Sequence, residues 1–271
     1  MLHIVACIKQ VPDTTQVRID PETNTLVREG IPAIINPFDL FAIEAAVQLK
    51  ETYGGSVSLL AMGPPQAVEA LQKGLSYGAD RAVLLSDRAL VGSDTLATSA
   101  ALTAGIQALA KDQPVDIVIC GKQTIDGDTA QVGPGIATRL GFSQLTYVGK
   151  IESVDLERRT LRARRIVEGA EEVVEAPLPV LLTVLNEIGE VRYASLPSVI
   201  RGLRTPVPVW GAKDIGVGPD TVGLAGSPTQ VRRIFAPPQR SGGEIISADG
   251  DADRVVNDLL DRLTAAGFFE E

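Results

Sequence analysis

The sequence has little of what most enzymes use for chemistry. Its 271 residues hold two cysteines, Cys7 and Cys120, and one histidine, His3. No CxxC occurs, which excludes zinc knuckles and thiolate-held iron–sulfur clusters. One histidine cannot build a histidine-based triad or a multi-histidine metal centre, and no catalytic residue is expected. Both cysteines lie inside apolar strand patterns and read as small core residues. Aromatic residues make up only 4%, so the core must be aliphatic. No apolar run approaches the roughly 18 residues that a membrane span needs. The formal net charge of −9 argues against a nucleic-acid partner. No leader precedes the first strand pattern, and the expected location is cytoplasmic. Neither GxxxxGK[ST] nor GxGxxG occurs, so the usual phosphate loops are missing too.

What is present is a polar loop after a buried strand. Val115 to Ile119 is an apolar run, and Cys120 to Arg139 follows as CGKQTIDGDTAQVGPGIATR. In an open parallel sheet, ligands bind where strands end and helices begin. Gly121, Gly127 and Gly133 let main-chain N–H groups come close to a ligand. Thr124, Thr129 and Gln131 can hydrogen-bond a ribose or a phosphate. Asp126 and Asp128 can accept from ribose hydroxyls or an adenine amino group. The helix that follows should be capped near Gln131, because Pro134 is harmless only in its first turn, and should stop at Gly141. It adds free N–H donors and a partial positive charge. Composition alone equally allows an ordinary strand-to-helix connection with solvated aspartates.

The rest of the chain alternates strands and helices with short connections. Leu2 to Val11 reads as a central strand, and Gln16 to Glu29 as a polar hairpin turning at Asp20 to Asn24. Asn36-Pro37 starts a helix, with Asn as cap and Pro in the first position. It runs to about Tyr53, with Phe38, Phe41, Ala42, Ala45 and Leu49 on one face. Ser56 to Met62 is a strand, then a helix runs to about Tyr77, and Arg81 to Ser86 is the next strand. Ser93 or Asp94 caps a helix that reaches about Lys111. Leu145 to Ile151 is a fifth strand. Leu161 to Val167, Glu171 to Ala176 and Val180 to Leu185 are expected as antiparallel additions. Ser195 to Ser198 opens a short helix.

This pattern predicts an α/β fold, a doubly wound and mostly parallel nucleotide-binding sheet over residues 1–205. From 206 to 271 an extended arm is expected. Thr205 to Gly250 is too rich in Gly and Pro to form a core of its own. Ala252 to Phe269 reads as a helix with an apolar stripe of Val255, Val256, Leu259, Leu260 and Leu263. That stripe needs a surface, either on its own sheet or on another chain. Arg158 to Arg165, RRTLRARR, is the one local basic run. It is either a solvated strand edge or a docking patch for an acidic partner or a phosphate.

Six segments in register resemble the beta subunit of electron-transfer flavoproteins over essentially the whole chain. They are Ala6 to Val11, Asn36 to Asp39, Met62 to Pro64, Gly78 to Arg81, Gly121 to Gln123 with Asp126 to Val132, and Arg192 to Ser198. The resemblance implies a heterodimer with an alpha subunit that carries FAD, and an arm that embraces it. It assigns nucleotide contacts to Ala6, Lys9, Asn36, Pro37, Phe38, Asp39, Met62 and the run from Gly121 to Val132. Within that run it takes in Lys122, Gln123, Ile125 and Ala130 besides the residues named above. It also implies that Leu196 docks an acyl-CoA dehydrogenase-type enzyme.

Family members hold either AMP or a second FAD in this subunit. Gly92-Ser-Asp-Thr-Leu-Ala-Thr-Ser99 and Asp126 to Pro134 resemble the electron-bifurcating branch, which takes hydride from NADH and reduces ferredoxin or flavodoxin. That likeness adds Gly92, Ser93, Asp94, Thr95 and Thr98 to the flavin site. The alternatives are a simple carrier with structural AMP, or an unrelated ATP-using protein, which the missing phosphate loop counts against.

Overall fold

The computed structural model describes residues 1–13, 32–232, 243–247 and 250–269. They group into two compact units, Met1–Arg233 and Ile234–Glu271. The predicted hairpin at Gln16 to Glu29 lies outside the described residues.

The first unit begins with β1 (Leu2–Ile8), β2 (Gln10–Pro12), β3 (Ala33–Ile35), α1 (Pro37–Tyr53), β4 (Gly55–Met62), α2 (Val68–Ser76) and β5 (Arg81–Leu85). It continues with α3 (Thr95–Ala110), β6 (Ile117–Gly121), α4 (Val132–Leu140), β7 (Ser143–Asp155), β8 (Thr160–Val167), β9 (Ala170–Pro177), β10 (Val180–Val184), α5 (Leu196–Arg204) and β11 (Val209–Trp210). Nine strands form one sheet in the order β11-β5-β4-β1-β6-β10-β7-β8-β9. Pairing is parallel from β11 to β7 and antiparallel at β7–β8 and β8–β9. β2 and β3 pair antiparallel beside it.

The sheet is covered on both faces, and the pleat sends alternate residues to two cores. Ile4, Ala6 and Ile8 of β1 join one core with α1 and α2, while Val5 and Cys7 join the other with α3 and α4. Such double burial requires unbroken apolar strands, and all seven residues of β1 are buried. α1 is buried on a wider front than its predicted stripe. Ile43, Ala46 and Val47 are also in the core, together with Glu44.

β10 departs from the expectation. It is no antiparallel addition but a central parallel strand between β6 and β7, buried at all five positions. Its apolar run, Val-Leu-Leu-Thr-Val, carries the double-burial signature that β8 and β9 lack. Residues 206–232 form no core of their own. Ala212, Ile215 and Val222 are buried, and β11 adds to the sheet edge.

The basic run is not a free positive patch. Arg164 pairs with Glu152 and Glu171, Arg165 with Glu172, and Arg159 with Asp116. Antiparallel pairing of β8 with β7 and β9 brings Glu152, Glu171 and Glu172 beside Arg164 and Arg165. In the second unit α6 (Ala252–Ala265) ends before the predicted Phe269. Asp251 caps it, and Val256, Leu259 and Leu260 are exposed within that unit's helix. No helix among the described residues is long and apolar enough to cross a membrane.

The placement of β10 can be checked directly. Leu182 is fully buried, so Leu182→Ala should cost about 3 kcal/mol in chemical denaturation. Val173→Ala, on half-exposed β9, should cost under about 1 kcal/mol. Equal costs would contradict the assignment.

Candidate functional site

β5 and β4 extend the sheet to one side of β1, whereas β6 lies on the other. The chain therefore leaves β1 and β6 in opposite directions, and a crevice opens beyond their carboxyl ends. Here lies a cleft of about 350 Å³. Lys9, Asp39 and Met62 line it from the ends of β1, α1 and β4. Ser93, Asp94, Thr95 and Thr98 line it from α3. From the loop after β6 come Gly121, Lys122, Gln123, Thr124, Gly127, Thr129, Ala130, Gln131 and Val132.

The start of α1 frames the cleft. Asn36 is fully buried and precedes Pro37, as predicted, but its side chain does not cap α1. Its amide reaches across to the loop instead: Nδ2 donates to the Gln123 carbonyl at 2.9 Å, and Oδ1 accepts from Ile125 N–H at 3.2 Å. Asp39 is buried three residues later. Its Oδ2 accepts from Lys9 N–H at 2.7 Å, and the Gly121 N–H also serves it. Burial pushes the Asp39 carboxyl up to about 7, against the pull of these donors. Gly121 must lack a side chain, because a Cβ there would lie 2.7 Å from Phe38 Cβ.

The loop is cross-braced. Lys9 Nζ meets Asp126 at 2.6 and 2.8 Å. Burial raises the Asp126 carboxyl, yet the Lys9 ammonium outweighs it and holds the group below its usual range. Gln123 donates to Asp128 at 2.7 Å, and Thr95 Oγ1 donates to Gln131 at 3.0 Å, tying the loop to α3. Asp128 and Ala130 hold positive φ of 52° and 54°, unusual for residues with a Cβ. Gln131 is the N-cap of α4 and Gly141 its left-handed stop, as the sequence indicated. Lys122 has no ion-pair partner among the described residues, and its Nζ lies 5.4 Å from the centre of the Tyr147 ring.

At the α3 end Asp94 is the cap. Its Oδ1 accepts from Leu96 and Ala97 N–H, and its Oδ2 from Thr229 N–H and Oγ1. Ser93 Oγ accepts from Gly223 N–H at 2.8 Å. Gly92 does not line the cleft. A Cβ at Gly92 would meet the Leu224 side chain at 2.6 Å, so this glycine serves close packing of residues 222–229.

Ala6, Asn36, Pro37, Phe38, Ile125, Asp126 and Asp128 are not among the residues that line the cleft, and Ile125, Asp126 and Asp128 are exposed on the loop. Leu196, on α5, is not brought to the cleft and is 72% exposed. The sequence reading missed an apolar floor of Cys7, Ile8, Leu102 and Cys120. Cys7 and Cys120 face each other in register, and the Cys7 thiol and burial together push the Cys120 thiol well up. The available signal was their matching position at the ends of neighbouring strands.

A switch-point crevice, a glycine-bearing loop and two helix starts mark an α/β domain of the doubly wound kind with its cleft at the carboxyl ends of the strands. The comparisons make that class specific. Residues 23–214 match the electron transfer flavoprotein domain. The chain is 52% identical over 242 residues to protein FixA of Bradyrhizobium diazoefficiens, covering 89% of this chain and 84% of that protein. It is 49% identical over 245 residues to electron transfer flavoprotein subunit beta of Clostridium acetobutylicum, covering 90% and 92%. It is 46% identical over 263 residues to subunit CarD of the caffeyl-CoA reductase-Etf complex of Acetobacterium woodii, covering 97% and 98%. The chain belongs to the electron transfer flavoprotein family and is of the beta-subunit type.

Two predictions test the frame. A carboxyl whose folded pKa is raised binds its proton more tightly in the native state, so it lowers stability as pH climbs from about 4 to about 7. The stability of wild type relative to Asp39→Asn should therefore fall across that window, and a flat difference would contradict the burial argument. Asn36→Ala strands the Gln123 carbonyl and the Ile125 N–H, and should cost about 2 kcal/mol in denaturation.

Proposed function

We propose that this chain is the beta subunit of a cytoplasmic heterodimeric electron-transfer flavoprotein, and that its cleft holds FAD. Bound there, FAD would supply hydride acceptance from NADH and one-electron chemistry, dividing electrons between ferredoxin or flavodoxin and, through the FAD of an alpha subunit, an acyl-CoA dehydrogenase-type enzyme. The observation that carries this reading is the extent of the cleft. It runs from the loop after β6 across the ends of β1 and β4 to the first turn of α3.

The residues present fit such a group. Lys122 and the N–H groups at the start of α4 would hold phosphate oxygens. Thr95, Thr98 and Gln131 offer polar contacts along the span, while Ile8, Met62 and Leu102 exclude water from its floor. The Lys9–Asp126 pair fixes the loop that covers one end. Likeness to a subunit of a caffeyl-CoA reductase-Etf complex supports a partner that acts on a CoA thioester. On this reading the extended arm, with α6, packs on the alpha subunit.

A specific observation favours the second reading, a simple carrier with structural AMP. The space at Gly92 is filled by Leu224, and both oxygens of Asp94 are engaged by main chain and Thr229. The two readings separate on nucleotide content. Denaturing the purified heterodimer and chromatographing what is released should give two FAD and no AMP per heterodimer. One FAD and one AMP would overturn the FAD reading in favour of the carrier.

A further inference from the structure

The segment before α5 is nearly without main-chain support. Residues 189–195 belong to no helix or strand. Yet they present Tyr193 fully exposed, and α5 continues the apolar surface with Leu196, Ile200 and Leu203. Exposed apolar side chains on a loose segment would bind poorly, because ordering them on contact costs free energy.

One side chain removes that looseness. Arg192 turns inward onto α1, and its main-chain N–H donates to Glu44 Oε2 at 3.1 Å. Its guanidinium takes Glu44 through Nε at 2.8 Å and Nη2 at 3.0 Å. It takes Glu51 through Nη1 at 2.6 Å and Nη2 at 2.9 Å. Glu44 and Glu51 stand two turns apart on one helix, so the planar fork meets two carboxylates at once. The Glu44 side chain is only 5% exposed and Glu51's is 54% exposed. At the other end Arg201 donates to the Leu75 and Ala79 carbonyls at the end of α2. Gly202 lets α5 approach α2 closely, since a Cβ there would lie 2.5 Å from the Gln72 carbonyl oxygen.

We propose that Arg192 is a positioning residue for partner docking: by clamping residues 191–195 onto Glu44 and Glu51 of α1, it holds Tyr193 and Leu196 in the geometry that receives the electron-accepting partner. The inference rests on the reading that Leu196 docks an acyl-CoA dehydrogenase-type enzyme. A buried carboxylate in the middle of α1 has no other cation within reach among the described residues, which makes the pairing obligatory rather than incidental. Lysine cannot replace it, because an ammonium cannot bridge both acids with the same fixed fork.

The test uses the reconstituted heterodimer and steady-state electron transfer to its dehydrogenase partner. Arg192→Lys should raise the partner concentration for half-maximal rate by about tenfold, with the saturated rate unchanged, because only preorganisation is lost. Glu51→Gln keeps the buried Glu44 pair, so folding is safeguarded, and should raise it by about two- to threefold. Amide exchange at residues 193–196 should quicken in both variants, with nucleotide content unaltered. Leu196→Ala serves as the control for the surface itself. If Leu196→Ala weakens docking while Arg192→Lys and Glu51→Gln do not, the clamp is refuted and the docking surface stands. If Leu196→Ala also leaves docking unchanged, the surface is not the dock and both ideas fall.

Discussion

The structure depends on one buried carboxylate. β1 and β6 part company beyond their last paired residues, and main-chain N–H groups at that divergence have no ladder to join. Asp39 fills the gap from the start of α1, accepting from Lys9 and drawing the Gly121 N–H. Without such an acceptor the mouth of the crevice would hold unsatisfied donors, at a cost of roughly 1–3 kcal/mol each. The carboxylate resists being charged where it sits, and the donors around it are what make the site tolerable. Everything else at the cleft follows from α1 being pinned there. Asn36 reaches the loop, Gly121 must be bare, and Lys9 is turned toward Asp126.

Much of this was legible in the sequence because it follows local rules. The strand–helix alternation, the Gln131 cap, the Gly141 stop and the Asp94 cap are set by residues within one turn of each other. What escaped was non-local. β10 was expected as an antiparallel addition, although its five buried residues mark a strand covered on both faces. The five arginines after Glu157 looked like a patch until antiparallel pairing set Glu171 and Glu172 against them. Asn36 was read as a cap, which is its commonest use, whereas here its amide answers a loop 87 residues away.

The site was legible to a similar depth. The loop from Gly121 to Val132 and the start of α3, both singled out in the sequence, are brought by the fold to one cleft. The apolar floor was not, since strand residues that line a pocket obey the same alternation as those that fill a core. Gly92 was assigned by resemblance to the ring site, while in the fold Leu224 takes the room it leaves. Glu44 was overlooked beside the apolar stripe of α1, because the cation that pairs with it, Arg192, lies 148 residues further along the chain.

The bridge from Asn36 bears on how this family can diversify. Its two hydrogen bonds go to the carbonyl of residue 123 and the N–H of residue 125, groups that every amino acid except proline supplies. At this one point the loop is held by its main chain, so the identities of residues 123 and 125 are free of that bridge. Substitutions there can alter the lining of the cleft while this bridge to α1 stays in place.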